Sequence, residues 1–243
     1  MLRLYAISKN FHEETSETQA IADINFIVRD GELLSIVGPS GCGKSTLLSI
    51  ISGLIPPSSG EVRLLKQPVT MGYMLQRDHL FPWRTILQNA CLGLEIQKKR
   101  TPANLRYVET LLSQYGLGEF KNHYPSQLSG GMRQRAALIR TLAVKPDILL
   151  LDEPFSALDY QTRLQVADEI ASIIRREQKT AVFVTHDISE AVAISDRVVV
   201  LSKRPSRVAA IHNIQLPAGV KPREAPEFRN YFNLIWKELD IHD

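Results

Sequence analysis

The chain has 243 residues, of which 44% are hydrophobic and 23% are charged, and this composition is typical of a globular protein and excludes a disordered or fibrous chain. The formal net charge is only +3 and the basic residues are scattered, so the sequence does not favour direct binding of DNA or RNA. Two cysteines, Cys42 and Cys91, are too few for a disulfide framework and favour a reducing cytosol. No apolar run reaches the roughly 18 residues of a membrane span, and the amino terminus lacks the apolar stretch of a secretion signal.

Three short strands are predicted at the start of the chain, at 2–7, 24–28 and 32–37, because apolar residues alternate or cluster there. A helix is predicted from Thr46 onward, and the PPSSG run at 56–60 then breaks the chain. The apolar residues at helical spacing in this segment are Leu47, Ile50, Ile51 and Leu54.

The middle of the chain, from about residue 86 to residue 144, has the pattern of helices and no strong strand candidate. Two short apolar runs, Ile148–Leu151 and Ala181–Val184, then predict buried parallel strands, so the α/β core resumes near Lys145. A last helix is predicted after Pro226, and its apolar face is expected to close the core. That face contains Phe228, Tyr231, Phe232, Ile235 and Leu239.

A glycine-rich segment follows the third predicted strand and matches the pattern GxxxxGK[ST] of phosphate-binding loops. Glycines let backbone N–H groups point at phosphate oxygens, and the start of the following helix adds partial positive charge. We expect Lys44 to reach the β- and γ-phosphates of a nucleotide and the Ser45 hydroxyl to bind Mg²⁺, which prefers oxygen ligands. The expected nucleotide-binding residues are Gly38, Pro39, Ser40, Gly41, Cys42, Gly43, Lys44, Ser45 and Thr46.

Two carboxylates, Asp152 and Glu153, come directly after the buried run that begins at Ile148, and ligands of parallel sheets bind at such strand ends. An acidic pair at this place also occurs in helix-capping turns. With a phosphate loop upstream, we predict Asp152 in the Mg²⁺ shell and Glu153 as the residue that polarises the water attacking the γ-phosphate. His186 follows a strand in the same way and is expected to donate to the γ-phosphate, and the segment 187–190 after it has the spacing of a capping box.

The sequence Leu128-Ser-Gly-Gly-Met-Arg-Gln-Arg135 resembles the LSGGQ-type signature of ABC ATPases. Ser129 can cap a helix beginning at Gly130, which provides a second anion-binding helix start. The resemblance extends from Leu2 to about Ser202. It implies one ABC ATPase domain over 1–243, with a P-loop NTPase (RecA-like) α/β core, an antiparallel β subdomain at the amino terminus and an inserted α-helical subdomain. The implied core is 1–85 with 145–243, and the helical subdomain is about 86–144.

The family further implies a homodimer in which two cassettes pair head to tail, with ATP and Mg²⁺ as ligands. In that arrangement the signature residues of one cassette close over the ATP held by the other. Phe11 is the candidate for stacking on adenine, with Tyr5 as the alternative, and either could instead belong to the core. The remaining correspondences are Ser129, Gly130, Gly131 and Gln134 for the signature, Gln76 for the glutamine that links Mg²⁺ to the helical subdomain, Asp159 for the D-loop and His186 for the switch histidine.

The segment after Gln76, from Arg77 to Thr85, resembles the LLPW segment of importer subunits of the nitrate, sulfonate and taurine type. This implies a bacterial ATPase held at the cytoplasmic face of the membrane only through transmembrane permease subunits, working with a solute-binding protein and without nucleic acid. An apolar lip would receive a short helix of the permease, although internal packing of Phe81 is an alternative. The lip residues are Leu80, Phe81 and Trp83.

A soluble ABC ATPase of an assembly or repair pathway would share every nucleotide motif. The repair branch has a long coiled-coil insertion and the translation branch has two cassettes, and neither pattern occurs in this sequence. A scaffold that binds ATP without hydrolysing it would be expected to lack Glu153 or His186, and both are present. The expected transported solute is a small anion or organic solute, although the stretch Lys66–Met71 is shorter than is usual for the importer branch.

Overall fold

The computed structural model describes residues 1–13, 16–156, 158–217 and 219–241. The chain divides into two compact units, and the first is built from both ends of the chain, Met1–Val69 with Ile174–Asp243. The second unit is Thr70–Ile173. All regular structure between residues 86 and 143 is helical, as the sequence pattern predicts. The domain limits placed at residues 86 and 144 stay predictions.

An antiparallel sheet of three strands begins the first unit: β1 (Leu2–Glu13), β2 (Ser16–Val28) and β4 (Ser59–Leu64). Strand β1 lies between the other two. The predicted strands were too short, because pairing continues through polar residues such as Asn10 and Glu17, whose side chains hydrogen-bond at 2.7 Å. Strand β4 was missed because its residues are mostly exposed and polar. Its extended conformation is stabilised by pairing with β1 and is not indicated by its composition.

Parallel strands form the buried part of the first unit. Strand β3 (Leu33–Val37) pairs in parallel with both β7 (Thr180–Val184) and β8 (Arg197–Leu201), and β9 (Val208–Asn213) adds to β8 in the antiparallel sense. Every residue of β3, β7 and β8 is buried. Continuous apolar runs of this kind are typical of parallel sheets covered on both faces, and they confirm the expected α/β core.

Three helices belong to the first unit: α1 (Lys44–Ile51), α7 (Ile188–Ile194) and α8 (Pro226–Ile241). Helix α8 packs its predicted apolar face on a buried cluster, with Ile235 fully buried, so the prediction for the last helix is confirmed. The predicted extension of α1 to Leu54 is wrong. The helix ends before Gly53, whose φ of +77° turns the chain, and Leu54 is 66% exposed.

The second unit contains two parallel strands, β5 (Met71–Met74) and β6 (Ile148–Asp152), and the helices between them in the chain. A helix that follows β6 completes the list of elements. No helix in the described part of the chain is long and apolar enough to cross a bilayer. The helices are α2 (Ile86–Ala90), α3 (Leu92–Ile96), α4 (Pro102–Gln114), α5 (Gly130–Ala143) and α6 (Tyr160–Arg176).

Candidate functional site

The glycine-rich segment lies between the buried strand β3 and helix α1, as its pattern predicts. Gly41 and Gly43 have φ angles of +73° and +114°, which side chains other than glycine's rarely adopt. Gly43 is also the amino-terminal cap of α1, where no side chain caps the helix and no acidic residue occupies the first turn. The loop therefore leaves backbone N–H groups and the positive end of the helix dipole available to a phosphate.

Lys44 is the first residue of α1 and is only 5% exposed. Its ammonium donates to the carbonyl oxygens of Gly38, at 2.8 Å, and Pro39, at 2.9 Å. The side chain is thus folded back over its own loop. Because a lysine ammonium has three donors, it can hold the loop while also meeting phosphate oxygens.

Two residues that the sequence analysis missed shape this loop. Arg204, which lies 163 positions away in the chain, donates from Nη2 to the carbonyl oxygen of Gly41 at 2.7 Å. Leu201 lies so close to Gly38 that a Cβ there would meet the Leu201 Cβ at 3.1 Å. No local pattern indicates these contacts, because β8 brings both residues to the loop only when it pairs with β3.

The two adenine-stacking candidates lie at different places on β1. Phe11 is 40% exposed, with the Lys9 ammonium 5.3 Å from its ring centroid. It pairs in register with Thr18, close in β2 to Ala20, whose carbonyl oxygen would be 3.3 Å from a Cβ at Gly43. Tyr5 is 50% exposed and pairs with a residue of β4. The geometry therefore favours Phe11, since its strand pair lies against the phosphate loop.

His186 is exposed and directly follows β7 and Thr185. Asp187 caps α7 by accepting from the N–H groups of Ser189 and Glu190, at 2.8 and 3.2 Å. The Asp187 N–H donates to the Thr185 hydroxyl, which in turn donates to the buried Glu190 carboxylate at 2.7 Å. Asp187 thus makes its half of the expected capping box, but the return contact from Glu190 runs through the Thr185 hydroxyl, which the spacing alone did not indicate. These hydrogen bonds fix the backbone on both sides of His186.

The carboxylates of the second unit lie where β6 ends. Asp152 is 7% exposed and accepts from the Tyr73 hydroxyl at 3.2 Å. Glu153 has φ +41°, an uncommon conformation for a residue other than glycine that costs roughly 1 kcal/mol or more. Strain of this kind persists where the surrounding structure requires it.

Gln76 lies beside Glu153. Its amide nitrogen donates to Glu153 Oε2 at 3.4 Å and to Ser156 Oγ at 3.2 Å. Ser156 also donates to the backbone carbonyl of Glu153 at 3.1 Å. The second unit therefore brings Gln76 and Glu153 together. Asp159 caps the start of α6, where bonds from Thr162 lower the pKa of its carboxyl, and Ala157 of the expected D-loop lies outside the described residues.

The signature segment forms the start of α5. Ser129 caps this helix by accepting from the Met132 N–H at 3.3 Å, as predicted. A Cβ at Gly131 would lie 3.0 Å from Val166 Cγ2 and 3.3 Å from Thr162 Cγ2 of α6, so glycine permits the close approach of the two helices. Gln134 is 2% exposed, and its Oε1 has no hydrogen-bond partner in the described part of the chain.

Arginines on α5 connect the signature helix to the segment after Gln76. Arg133 donates to the Asp78 carboxylate at 3.0 Å and to the Leu128 carbonyl at 2.8 Å. Arg140 donates to the backbone carbonyls of Asp78 and His79, both at 2.7 Å. The sequence analysis did not single out these residues. Through these hydrogen bonds, the two arginines connect the loop after Gln76 to the signature helix within the second unit.

Comparison with known proteins decides the family. The family model described as ABC transporter matches residues 21–156, which is more than half of the chain. The chain belongs to the ABC transporter family. It is an ATP-binding subunit of that family and an ATPase.

Relatives of this cassette match along nearly its whole length. It is 45% identical to the uncharacterized ABC transporter ATP-binding protein YtlC of Bacillus subtilis, over 96% of this chain and 94% of that protein. It is 38% identical to the aliphatic sulfonates import ATP-binding protein SsuB of Bacillus licheniformis, over 96% and 91% of the two chains. The ATP-binding cassette MJ0796, solved as a dimer bound to ADP and Pi, superposes with a TM-score of 0.75 and 33% identity, over 88% and 99% of the two chains. These matches confirm the predicted P-loop ABC fold.

Proposed function

We propose that this cassette powers a bacterial importer of small anions or organic solutes of the nitrate, sulfonate and taurine class. It works as a homodimer bound to transmembrane permease subunits, which hold it at the cytoplasmic face, and it receives solute through a solute-binding protein. The observation that carries the proposal is the exposed ring of Trp83, which stacks on the half-buried ring of Phe81 in the segment after Gln76. The sulfonate-import name of a relative at 38% identity supports the solute class.

In the proposed reaction, the phosphate loop binds ATP through backbone N–H groups of residues 40–46. Lys44 exchanges some of its bonds to Gly38 and Pro39 for bonds to the β- and γ-phosphates, where it neutralises charge. Phe11 stacks on the adenine. Each of these groups belongs to the first unit.

Glu153 polarises the attacking water, and Gln76 positions Glu153 through the contact between its amide and the carboxylate. His186, fixed in place by the Thr185 and Asp187 bonds around it, donates to the γ-phosphate. Asp159 belongs to the loop that faces the second cassette. The attack of water on the γ-phosphate, with ADP as the leaving group, needs all of these groups in place. Closure of the dimer therefore switches hydrolysis on.

The residues expected to hold Mg²⁺ offer oxygen atoms, the type of ligand that this ion prefers. Ser45 offers a hydroxyl, Gln76 an amide oxygen and Asp152 a carboxylate held by Tyr73. The described residues contain no group of three or more His, Cys, Asp or Glu side chains able to hold a metal. Mg²⁺ that is bound to phosphates uses few protein ligands, since it retains several waters. When bound, Mg²⁺ would supply positive charge that offsets the negative charge of the phosphates.

The signature residues act on the nucleotide held by the second cassette. The Ser129 hydroxyl and the N–H groups of Gly130 and Gly131 lie at the amino-terminal end of a 14-residue helix, where an anion is stabilised. Gln134 is buried in the same turn region, so its proposed role is to shape the helix start and present it to the γ-phosphate. This pairing requires two copies of the chain.

The permease contact is proposed at Phe81 and Trp83, which we call the aromatic lip. Their rings stack with centroids 5.0 Å apart, and Trp83 is 70% exposed. The Asn89 side chain accepts from the Phe81 N–H at 2.7 Å and donates to the Phe81 carbonyl at 3.1 Å. The exposed Trp83 ring therefore stacks on a residue whose backbone is held in place. Leu80 is only 7% exposed and lies beneath the lip, contrary to the expectation that it forms part of it.

The test is to purify the tagged chain from gently solubilised native membranes and to identify the accompanying proteins by mass spectrometry. We expect a multi-span permease and a solute-binding protein with the wild type, and loss of both with Trp83→Ala at unchanged ATPase activity. Trp236→Ala is the matched control, because Trp236 is 57% exposed on α8. Soluble partners alone would instead support an assembly ATPase and contradict the proposal.

A further inference from the structure

The first unit contains a cavity of about 420 Å³ with a strongly basic lining. Arg3, Arg29 and Arg197 line it together with Asn25 and Asn213, and its lining includes no carboxylate. These residues come from β1, the end of β2, β8 and β9 and lie far apart in the sequence. The cavity therefore exists only in the folded chain, and no sequence motif marks it.

Arg197 is the buried member of this group, with a side chain that is 8% exposed. Its Nη2 donates to the Ile27 carbonyl at 2.7 Å, and its Nε lies 3.3 Å from Glu32 Oε1 without forming a hydrogen bond to any described residue. The other Glu32 oxygen, Oε2, accepts from the Arg29 N–H at 2.7 Å. The buried Glu32 carboxylate thus faces the guanidinium of Arg197 and accepts from the backbone of Arg29.

The two other arginines add uncompensated charge at the cavity mouth. Arg3 and Arg29 are both exposed, and their guanidinium groups form no hydrogen bond or ion pair with the described residues. The Arg3 guanidinium lies 6.0 Å from the ring centroid of Tyr5, a contact that does not neutralise its charge. Three guanidinium groups therefore face the cavity, with a single carboxylate behind them.

The cavity is separate from the phosphate loop. Arg197 pairs in register with Leu34 at the start of β3, whereas the loop follows Val37, which pairs with Val200. Three residues of strand span about 10 Å, and the loop continues beyond that. The basic cavity therefore lies at the opposite end of the parallel strands from the nucleotide phosphates.

We propose that this cavity binds a small oxyanion, that is, a phosphate, sulfate or sulfonate group. Guanidinium forks match the oxygens of such groups and bind them in bidentate fashion. Leu4 and Phe26 provide a buried apolar floor beside the arginines, and Ile27 and Ile211 are 40% and 43% exposed at the edge. The lining therefore accepts an oxyanion that is free or carried on a small apolar body, including a lipid.

The proposal is tested by calorimetric titration of sodium sulfate into the full chain saturated with Mg²⁺ and a non-hydrolysable ATP analogue, at constant ionic strength, so that the positions of all three phosphates are already filled. The informative variant is Arg3→Gln with Arg29→Gln, since both side chains are exposed and the buried ion pair stays intact. The control is Arg106→Gln with Arg229→Gln, which changes the charge equally at exposed arginines elsewhere. Sedimentation with phosphatidylglycerol vesicles forms a parallel arm.

We expect sulfate binding that is roughly tenfold weaker or lost in the cavity variant and unchanged in the control, because charge-assisted hydrogen bonds are removed. Binding to vesicles alone, with the same dependence on Arg3 and Arg29, would support the proposal with a lipid phosphate as the source. Absence of both kinds of binding, or equal binding by the cavity variant and the control, would overturn it.

Discussion

At the scale of single residues, the chemistry of this cassette depends on side chains held in unusual positions. Glu153 is placed by a left-handed backbone conformation and by contacts from Gln76 and Ser156. Lys44 is held by carbonyl groups of its own loop. These positions are maintained by the neighbouring structure, so conservative substitutions at them are informative.

Replacement of Glu153 by Gln removes the group that polarises water but keeps the size of the side chain. We expect ATP binding close to that of the wild type and a turnover that is roughly 10² to 10⁴ times slower, as is typical when a general base is lost. Phosphate release and nucleotide binding measure the two quantities. Glu227→Gln, at an exposed residue of α8, is the control. Normal turnover in Glu153→Gln would refute the assigned role.

Cys42 tests the packing of the phosphate loop. The thiol is 1% exposed, and burial raises its pKa, an effect that outweighs the lowering by Lys44. Because the thiolate is the reactive form, we expect native Cys42 to be alkylated by iodoacetamide at least roughly tenfold more slowly than free cysteine at neutral pH. The unfolded chain should react fully. Rapid labelling of Cys42 in the native protein would show that the loop is open.

At the scale of elements, helix starts and helix contacts position the functional residues. The signature glycines show this because their surroundings differ. A Cβ at Gly131 would meet Val166 and Thr162 of α6, whereas a Cβ at Gly130 would meet mainly the flexible end of Leu158, at 2.9 Å. Comparing Gly→Ala at these two adjacent positions therefore distinguishes the effect of helix contact on stability from the effect of helix propensity.

Gly131→Ala should destabilise the cassette by about 1 to 3 kcal/mol, because the added methyl group pushes against stiff side chains. Gly130→Ala should cost less, because the end of the Leu158 side chain can move aside, while the gain of about 1 kcal/mol in helix propensity is common to both substitutions. Urea unfolding monitored by circular dichroism measures both. The interpretation would be wrong if Gly130→Ala were the more destabilising of the two.

Helix α8 provides a second test at this scale. Ile235 is fully buried against the cluster that includes Val37 and Val200, so Ile235→Ala should lower the free energy of unfolding by about 2 to 5 kcal/mol. Leu234→Ala, at a neighbour that is 44% exposed, should cost well under that. Equal losses in urea unfolding would show that α8 does not pack on the core as the structure has it.

The elements that the sequence predicted are those with a strong local signal. Buried apolar runs gave β3, β6 and β7, and the helical pattern gave the apolar face of α8. Strand β4 and the polar ends of β1 and β2 had no such signal, because pairing with neighbouring strands determines them. The end of α1 was misplaced because Gly53, rather than the spacing of Leu54, decides where the helix stops.

In the candidate site, too, residues with a local sequence signal were predicted and contacts between distant parts of the chain were not. Motif spacing identified Lys44, Ser129 and the carboxylates, and the structure places Gln76 against Glu153. The spacing could not indicate Arg204 at the phosphate loop or the bonds from α5 to Asp78, because these contacts join residues far apart in the chain. The basic cavity was missed for the same physical reason.

At the scale of the whole molecule, each copy of the chain has a phosphate loop and a signature, and we propose that each signature completes the site of the other copy. The solved MJ0796 dimer, to which this chain is 33% identical, is consistent with that proposal. ATP would then act as the link between two copies, and hydrolysis would release it. A permease bound to the two copies could be driven by this closing and opening of the dimer.

The most direct test of this account is multi-angle light scattering of the Glu153→Gln chain with and without Mg–ATP. We expect a monomer without nucleotide and a dimer with it, and we expect Ser129→Arg added to the same chain to prevent the dimer while ATP still binds. A Glu153→Gln chain that binds ATP and stays monomeric at every concentration would contradict the central claim that two copies share the nucleotides between them.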